Sequence, residues 1–385
     1  MRPVVAGIAL LLLTVATFAG APRARDLGIP FDGVPGPLNA MTDVAGVTVG
    51  EVTLIESQDA RHLVRTGVTA ILPRGIESIT RPVFAATFAL NGAGEMTGAA
   101  WLGESGLLDG PVMITNTNQV GVVRDAVIQW RLRHEPVDPS GDSWTLPVVA
   151  ETWDGFLNDM DGFHLRAEHA FAALDQARAG PVGEGNVGGG TGSICHEFKC
   201  GTGTASRRAR IGGQDYTVGV LVQANHGTRD TLRIAGVPVG RHLQEHRVVY
   251  PGDEREPADR GSIIIVVATD APLLPHQLQR LARRVPLALG RDGGYGGNAS
   301  GDIFVAFSTA NREAAAARSP PTAQFLANDR MDALFLATVE ATEEAIVNAL
   351  VAARDMQGAD GHRAAAIPHA ALRDLLRRYN RLLTP

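Results

Sequence analysis

One stretch of this chain constrains its architecture more than any other. Ser262–Thr269 reads Ser-Ile-Ile-Ile-Val-Val-Ala-Thr. Its β-branched residues favour a strand, and it is apolar at odd and even positions alike. Successive side chains of a strand point to opposite faces, so both faces of this one need cover. That places it in the middle of a sheet with a further layer on each side. The preceding residues 251–261, Pro-Gly-Asp-Glu-Arg-Glu-Pro-Ala-Asp-Arg-Gly, are polar, charged and turn-forming, an exposed loop by composition. Ser262 stands at the junction, and by itself it reads as a strand-start residue.

Other elements follow from periodicity and from turn residues. Strands are expected at 45–54 with 67–72 as a partner, and at 111–115, 146–149, 216–223 and 302–307. Helical spacing predicts helices at 120–133, at 165–178 with Gly180 as the stop, at 275–288 and at 331–354. Residues 22–44 read as an irregular lead-in, and 183–203 are dominated by glycine. Strands and helices mix without a regular βαβ rhythm, which predicts an α+β arrangement of layered sheets flanked by helices.

A chain of 385 residues, 45% apolar and 20% charged, can bury a large core. The net charge is −6 and Lys and Arg form no block, which argues against a nucleic-acid partner. At the start, Arg2 precedes an apolar run over 4–18, and Ala19-Gly20-Ala21 has the small-x-small form of a cleavage site. Residues 1–21 therefore read as a signal peptide, with an exported, periplasmic or secreted product beginning near Pro22. The run is short for a membrane span; an uncleaved anchor is the alternative. Cys195 and Cys200 are the only cysteines. An oxidising compartment permits them to pair, and two buried free thiols are equally compatible with the sequence.

Two short motifs invite other readings, and their surroundings argue against each. The run Gly185-Asn-Val-Gly-Gly-Gly-Thr-Gly192 lacks the Lys and Ser/Thr that end a phosphate loop, and reads as a tight, backbone-exposed turn. His242-Leu-Gln-Glu245-His246 matches the inverted zinc-protease pattern. Pro238 and Gly240 before it and Pro251-Gly252 after it leave little room for a helix, and no third ligand is evident. A metal-dependent hydrolase using His242 and His246 remains a rival reading, as does a non-enzymatic binding protein. No Gly-x-Ser-x-Gly elbow is present.

Ser262 acquires a chemistry if the bond before it is cut. The freed α-amine, with a pKa of about 8, can act as base for its own hydroxyl. A buried strand would hold that hydroxyl rigid.

Long ordered matches then identify a family. They comprise Thr42-Asp-Val-Ala-Gly-Val-Thr-Val-Gly50, Gly92-Ala-Gly-Glu-Met-Thr-Gly98, Thr115-Asn-Thr-Asn118 with Gly121-Val-Val-Arg-Asp125, and Gly185 to Gly192. They continue in Val222-Gln-Ala-Asn-His-Gly227, Gly261-Ser-Ile-Ile-Ile-Val-Val-Ala-Thr-Asp-Ala-Pro272 and Ser300-Gly-Asp-Ile-Phe-Val-Ala-Phe-Ser-Thr309. Over nearly the whole mature chain the sequence resembles the self-processing N-terminal-serine aminopeptidases, which include the L-aminopeptidase/D-amino-acid esterase-amidase and the β-aminopeptidases. The resemblance implies a four-layer αββα sandwich like that of N-terminal-nucleophile hydrolases, with different connectivity. It implies self-cleavage between Gly261 and Ser262 into pieces 22–261 and 262–385 that together form one domain. It further implies release of an N-terminal residue from short peptides, amides or esters, without metal or other cofactor, by a homo-oligomer, commonly a tetramer.

Carried over by motif, Ser262 is the nucleophile, and Ser300 and Asp302 support its amine and hydroxyl. Some relatives have Glu where this chain has Asp302. Asn225 corresponds to the donor to the oxyanion, and Glu151, in the matching stretch Val149-Ala-Glu-Thr-Trp-Asp-Gly155, to the acid that holds the substrate's ammonium. Trp153 departs from the pattern: relatives place a Tyr there, its hydroxyl near the oxyanion, and Trp offers only an indole N–H. Cys200 also departs, since relatives tend to have Gly.

Overall fold

The computed structural model describes residues 21–57, 59, 61–135, 144–250, 259, 261–313 and 322–383. The expected signal segment up to residue 20, and 251–258 and 260 of the loop before Ser262, lie outside the described residues. In chain order the elements are β1 (Thr48–Ser57), β2 (Leu63–Ile76), β3 (Val83–Ala89), α1 (Ala99–Ser105), β4 (Leu107–Leu108), β5 (Val112–Asn116), α2 (Val120–His134), β6 (Val148–Thr152) and α3 (Ala167–Asp175). A short hairpin follows, β7 (Ile194–Cys195) and β8 (Phe198–Lys199), then β9 (Thr202–Ile211), β10 (Gln214–Asn225), α4 (Val239–His242) and β11 (Ser262–Thr269). The rest is α5 (Pro275–Ala282), α6 (Val285–Asp292), β12 (Gly301–Ser308), α7 (Asp332–Val351), β13 (Met356–Gln357), β14 (Arg363–Ala364) and α8 (His369–Arg378).

Two sheets face each other, one ordered β1-β2-β5-β6 and the other β4-β3-β12-β11-β10-β9. The apolar strand β11 runs antiparallel to β10 and parallel to β12. Its two faces divide as its composition requires. Ile264, Val266 and Ala268 pack between the sheets with Ile71, Ile114 and Phe307. Ile263, Ile265 and Val267 pack on the other face with the helical layer that includes Leu278, Leu289 and Ile346. On the far side of the smaller sheet, Val68, Met113 and Val149 are covered by Val127 and Trp130 of α2 and Leu174 of α3. The layers are therefore helix, sheet, sheet, helix: the four-layer αββα sandwich.

Two expected elements take a different form. The helix expected over 275–288 is a pair, α5 and α6. Pro286 in the first turn of α6 lacks an N–H and clashes with a preceding turn, so a new helix starts there. The strand expected at 146–149 begins only at Val148 and runs to Thr152, because Pro147 has no N–H to give to a ladder. Strand β9 is absent from the expectations because Arg207, Arg208 and Arg210 mask it. Arg207 is fully buried and meets Glu344 of α7 at 2.6 Å, while Arg25 of the lead-in reaches the same carboxylate at 2.8 Å. This charged junction fastens the lead-in and the edge strand to α7.

Candidate functional site

Ser262 opens β11 with its Cα opposite Asn225 of β10 on one side and Gly301 of β12 on the other. Residue parity places its hydroxyl on the face of Ile264 and Val266, between the sheets. Ser262 is 3% exposed, and its Oγ has no hydrogen-bond partner among the described residues. A buried hydroxyl without a partner is costly, and such groups concentrate where a ligand or a reaction supplies what is missing.

Asn225 shares that face, since Leu221 of the same parity also packs between the sheets. Directly opposed strand residues have Cβ atoms about 4.5–5.5 Å apart. The Ile194 N–H donates to Asn225 Oδ1 at 2.8 Å, which leaves the Nδ2 amide as the end available beside Ser262. Ile194 is held in turn by the β7–β8 hairpin, whose flank is closed by a Cys195–Cys200 disulfide. The cysteines are thus paired.

Glu151 sits within β6 at 3% exposure rather than on the surface past a strand. Its Oε1 accepts from the Glu95 N–H at 2.9 Å and its Oε2 accepts from the Thr117 hydroxyl. Burial pushes its pKa up, with these two bonds pulling back. The loop at 93–95 lies between Glu151 and the head of β12. A Cβ added to Gly94 would lie 3.0 Å from Gly301 Cα and 3.3 Å from Glu151 Oε1, so glycine there lets the two approach.

Ser300 and Asp302 come together: the Ser300 hydroxyl donates to Asp302 Oδ1 at 2.7 Å. Asn91 clamps the same residue, donating Nδ2–H to Oδ2 at 3.0 Å and accepting the Asp302 N–H at 2.6 Å. Burial raises the Asp302 pKa, opposed by the Ser300 bond and reinforced by the nearby Asp259 charge. Asp302 has the parity of Phe304 and Ala306, which face the helices, whereas Gly301 pairs with Ser262. Asp302 and the Ser262 hydroxyl therefore lie on opposite faces of the sheet. A backbone bond from Ile263, the residue after Ser262, also bears on the Asp302 carboxylate and pulls its pKa down.

Trp153 leaves the strand after Thr152 and is 38% exposed. Its ring lies 6.1 Å from that of Tyr250, which packs edge-on at 5.1 Å against Phe156. It thus belongs to an aromatic row. The inverted zinc motif lacks the geometry it needs. α4 ends at His242, and His246 has φ 54°, so the two rings do not share a helical face. His242 Nε2 is 2.9 Å from the Tyr379 hydroxyl, and no three His, Cys, Asp or Glu side chains converge on a metal-binding arrangement among the described residues. The glycine run is a buried crossing point. A Cβ on Gly189 would meet Gln223 Oε1 at 2.1 Å and Ile114 O at 2.6 Å.

Asn91, Gly94, Glu95, Thr117 and Ile194 enter the site only through tertiary contacts; the matched stretches 92–98 and 115–118 hold Gly94, Glu95 and Thr117, and no motif marks Asn91 or Ile194.

The chain matches the model of Peptidase family S58 over residues 39–364. It is 52% identical to β-peptidyl aminopeptidase BapA of Sphingosinicella microcystinivorans, over 97% of each chain. Among solved structures it resembles the L-aminopeptidase/D-Ala-esterase/amidase of Ochrobactrum anthropi, described as a prototype of the serine aminopeptidases with a variant of the Ntn-hydrolase fold. That match has a TM-score of 0.87 and 48% identity, covering 94% of this chain and 99% of the other. A β-aminopeptidase of a Burkholderia species matches with a TM-score of 0.84 and 47% identity, over 93% and 99% of the two chains.

Proposed function

The chain belongs to peptidase family S58 and is an aminopeptidase of the serine type; from that premise we propose that it cuts itself between Gly261 and Ser262 and then works through the new N-terminal serine. One observation carries the reading: a buried Ser262 hydroxyl without a partner among the described residues, at the head of a buried strand and directly opposite Asn225.

In the first step Ser262 Oγ adds to the Gly261 carbonyl carbon. The C–N bond breaks and the nitrogen takes the hydroxyl proton, leaving an ester. Water hydrolyses the ester, producing a Gly261 carboxylate and a free Ser262 amine and hydroxyl. The Gly301 N–H already donates to Gly261 O at 3.2 Å, where negative charge develops in that step. Glycine is required at this position, since a Cβ on Gly261 would lie 1.9 Å from Asn225 O.

In turnover the amine takes the hydroxyl proton as Oγ attacks the substrate acyl carbon. Asn225 donates to the oxyanion, and Glu151 receives the substrate's ammonium by charge-assisted hydrogen bonds. The leaving amine departs with a proton, and water releases the acyl group. Asp302, oriented by Ser300 and Asn91, steadies the Ser262 amine. The names of the relatives support peptides, amides or esters beginning with a β-amino acid, D-Ala or an L-residue as substrates; the reading adds N-terminal Gly and places Trp153, two residues after Glu151, at the border of the site. The reading includes removal of residues 1–21 on export, which the Cys195–Cys200 disulfide supports, and assembly as a homo-oligomer.

The test is the intact mass and N-terminal sequence of the purified protein. Two pieces are expected, the smaller beginning Ser-Ile-Ile-Ile. A single chain that stays whole after long incubation refutes self-activation. Asn225→Ala should lower kcat by roughly 100-fold, the ~3 kcal/mol typical of one oxyanion donor, measured on an aminoacyl p-nitroanilide with the fraction of processed protein counted.

A further inference from the structure

Asp259 comes from the most charged stretch of the chain, yet it is only 5% exposed. Its carboxylate collects backbone donors from three separate segments. Oδ1 accepts from the Gly227 N–H at 2.9 Å and the Gly261 N–H at 3.4 Å, and Oδ2 accepts from the Gly297 N–H at 3.4 Å. Gly227 belongs to the turn after β10, Gly297 to the loop before β12, and Gly261 carries the bond to be cut. The receiving loop is shaped for this side chain, because a Cβ on Gly297 would lie 2.6 Å from Asp259 Cβ. The titratable groups that sense the Asp259 charge are Asp302, His196 and Tyr295.

Two anchors consequently fix Gly261, Asp259 on its N–H and the Gly301 N–H on its carbonyl. A glycine is otherwise the least restrained residue in a chain. Attack on a carbonyl needs the reacting atoms held about 3–3.5 Å apart and aligned. We propose that Asp259 is a positioning residue for self-cleavage, clamping Gly261 so that its carbonyl is presented to the Ser262 hydroxyl. The proposal rests on the self-cleavage reading above.

Full-length Asp259→Leu and Asp259→Asn test it, with disappearance of the uncut chain followed on denaturing gels after a pulse of synthesis. Leu keeps the bulk and loses both acceptors; Asn keeps one acceptor oxygen. Cleavage should slow by about 100-fold in the Leu variant, the cost of misplacing reacting groups by an ångström. Asn should restore part of the rate, leaving it roughly tenfold slow, since a neutral acceptor remains. Folding is checked by the Tm of each substitution in an uncut Ser262→Ala background. A folded Leu variant cut at the wild-type rate overturns the proposal, and so does an Asn variant as slow as Leu. If Leu does not fold, the Asn variant decides: slowed cleavage supports the clamp and a wild-type rate overturns it. A wild-type chain that never cuts refutes the self-cleavage reading and the clamp together, an outcome distinct from all of these.

Discussion

Ser262→Ala should purify as one uncut chain and lose activity by about a million-fold, the scale seen when a serine nucleophile is removed. Both losses share a cause: the same oxygen attacks Gly261 once and substrates thereafter. The variant should also fold at least as well as the parent. The Ser262 hydroxyl is buried and makes no hydrogen bond among the described residues, so its removal deletes a desolvated polar group and no bond. Intact mass, hydrolysis of an aminoacyl p-nitroanilide and a thermal melt read the three consequences. Processing or turnover by the alanine variant would eliminate Ser262 as the nucleophile.

Glu151→Gln should leave self-cleavage untouched and cut kcat/KM by on the order of 1,000-fold, about 4 kcal/mol, as expected when one partner of a buried charge pair is neutralised. Most of the loss should appear in KM, because the ammonium is held in the ground state as well as in the transition state. The pH profile supplies a second signature. Burial raises the Glu151 pKa, so its carboxyl becomes protonated at a pH above the ordinary value of about 4.3. As pH falls through that raised pKa, the ammonium loses its counter-charge and KM climbs. In the Gln variant this acid limb should vanish. A wild-type KM in Glu151→Gln would remove the residue from substrate binding.

How much of this was legible beforehand differs from residue to residue. The double-faced apolar pattern of Ser262–Thr269 demanded a central strand between two layers, and that is where β11 lies. Ser262, Asn225, Glu151, Ser300 and Asp302 were reachable only through long motif matches, since each alone is an ordinary polar residue. Asp259 and Arg207 were hidden. Their charges read as surface, and partners far along the chain make their burial tolerable: the N–H groups of Gly227 and Gly297 for one and Glu344 for the other.

Local pattern therefore determined several of the strands, though not β3 or β9, and that one of them is buried on both faces, because periodicity and side-chain shape act within a few residues. Tertiary structure decided the site. Whether Asn225 or another residue stands opposite Ser262 depends on the register of β10 against β11. Which face of the sheet Asp302 takes relative to the Ser262 hydroxyl depends on the parity of β12. Shifting either register by one residue would turn every side chain of that strand to the other face. Register is chosen by packing between segments distant in sequence, so no local pattern encodes it.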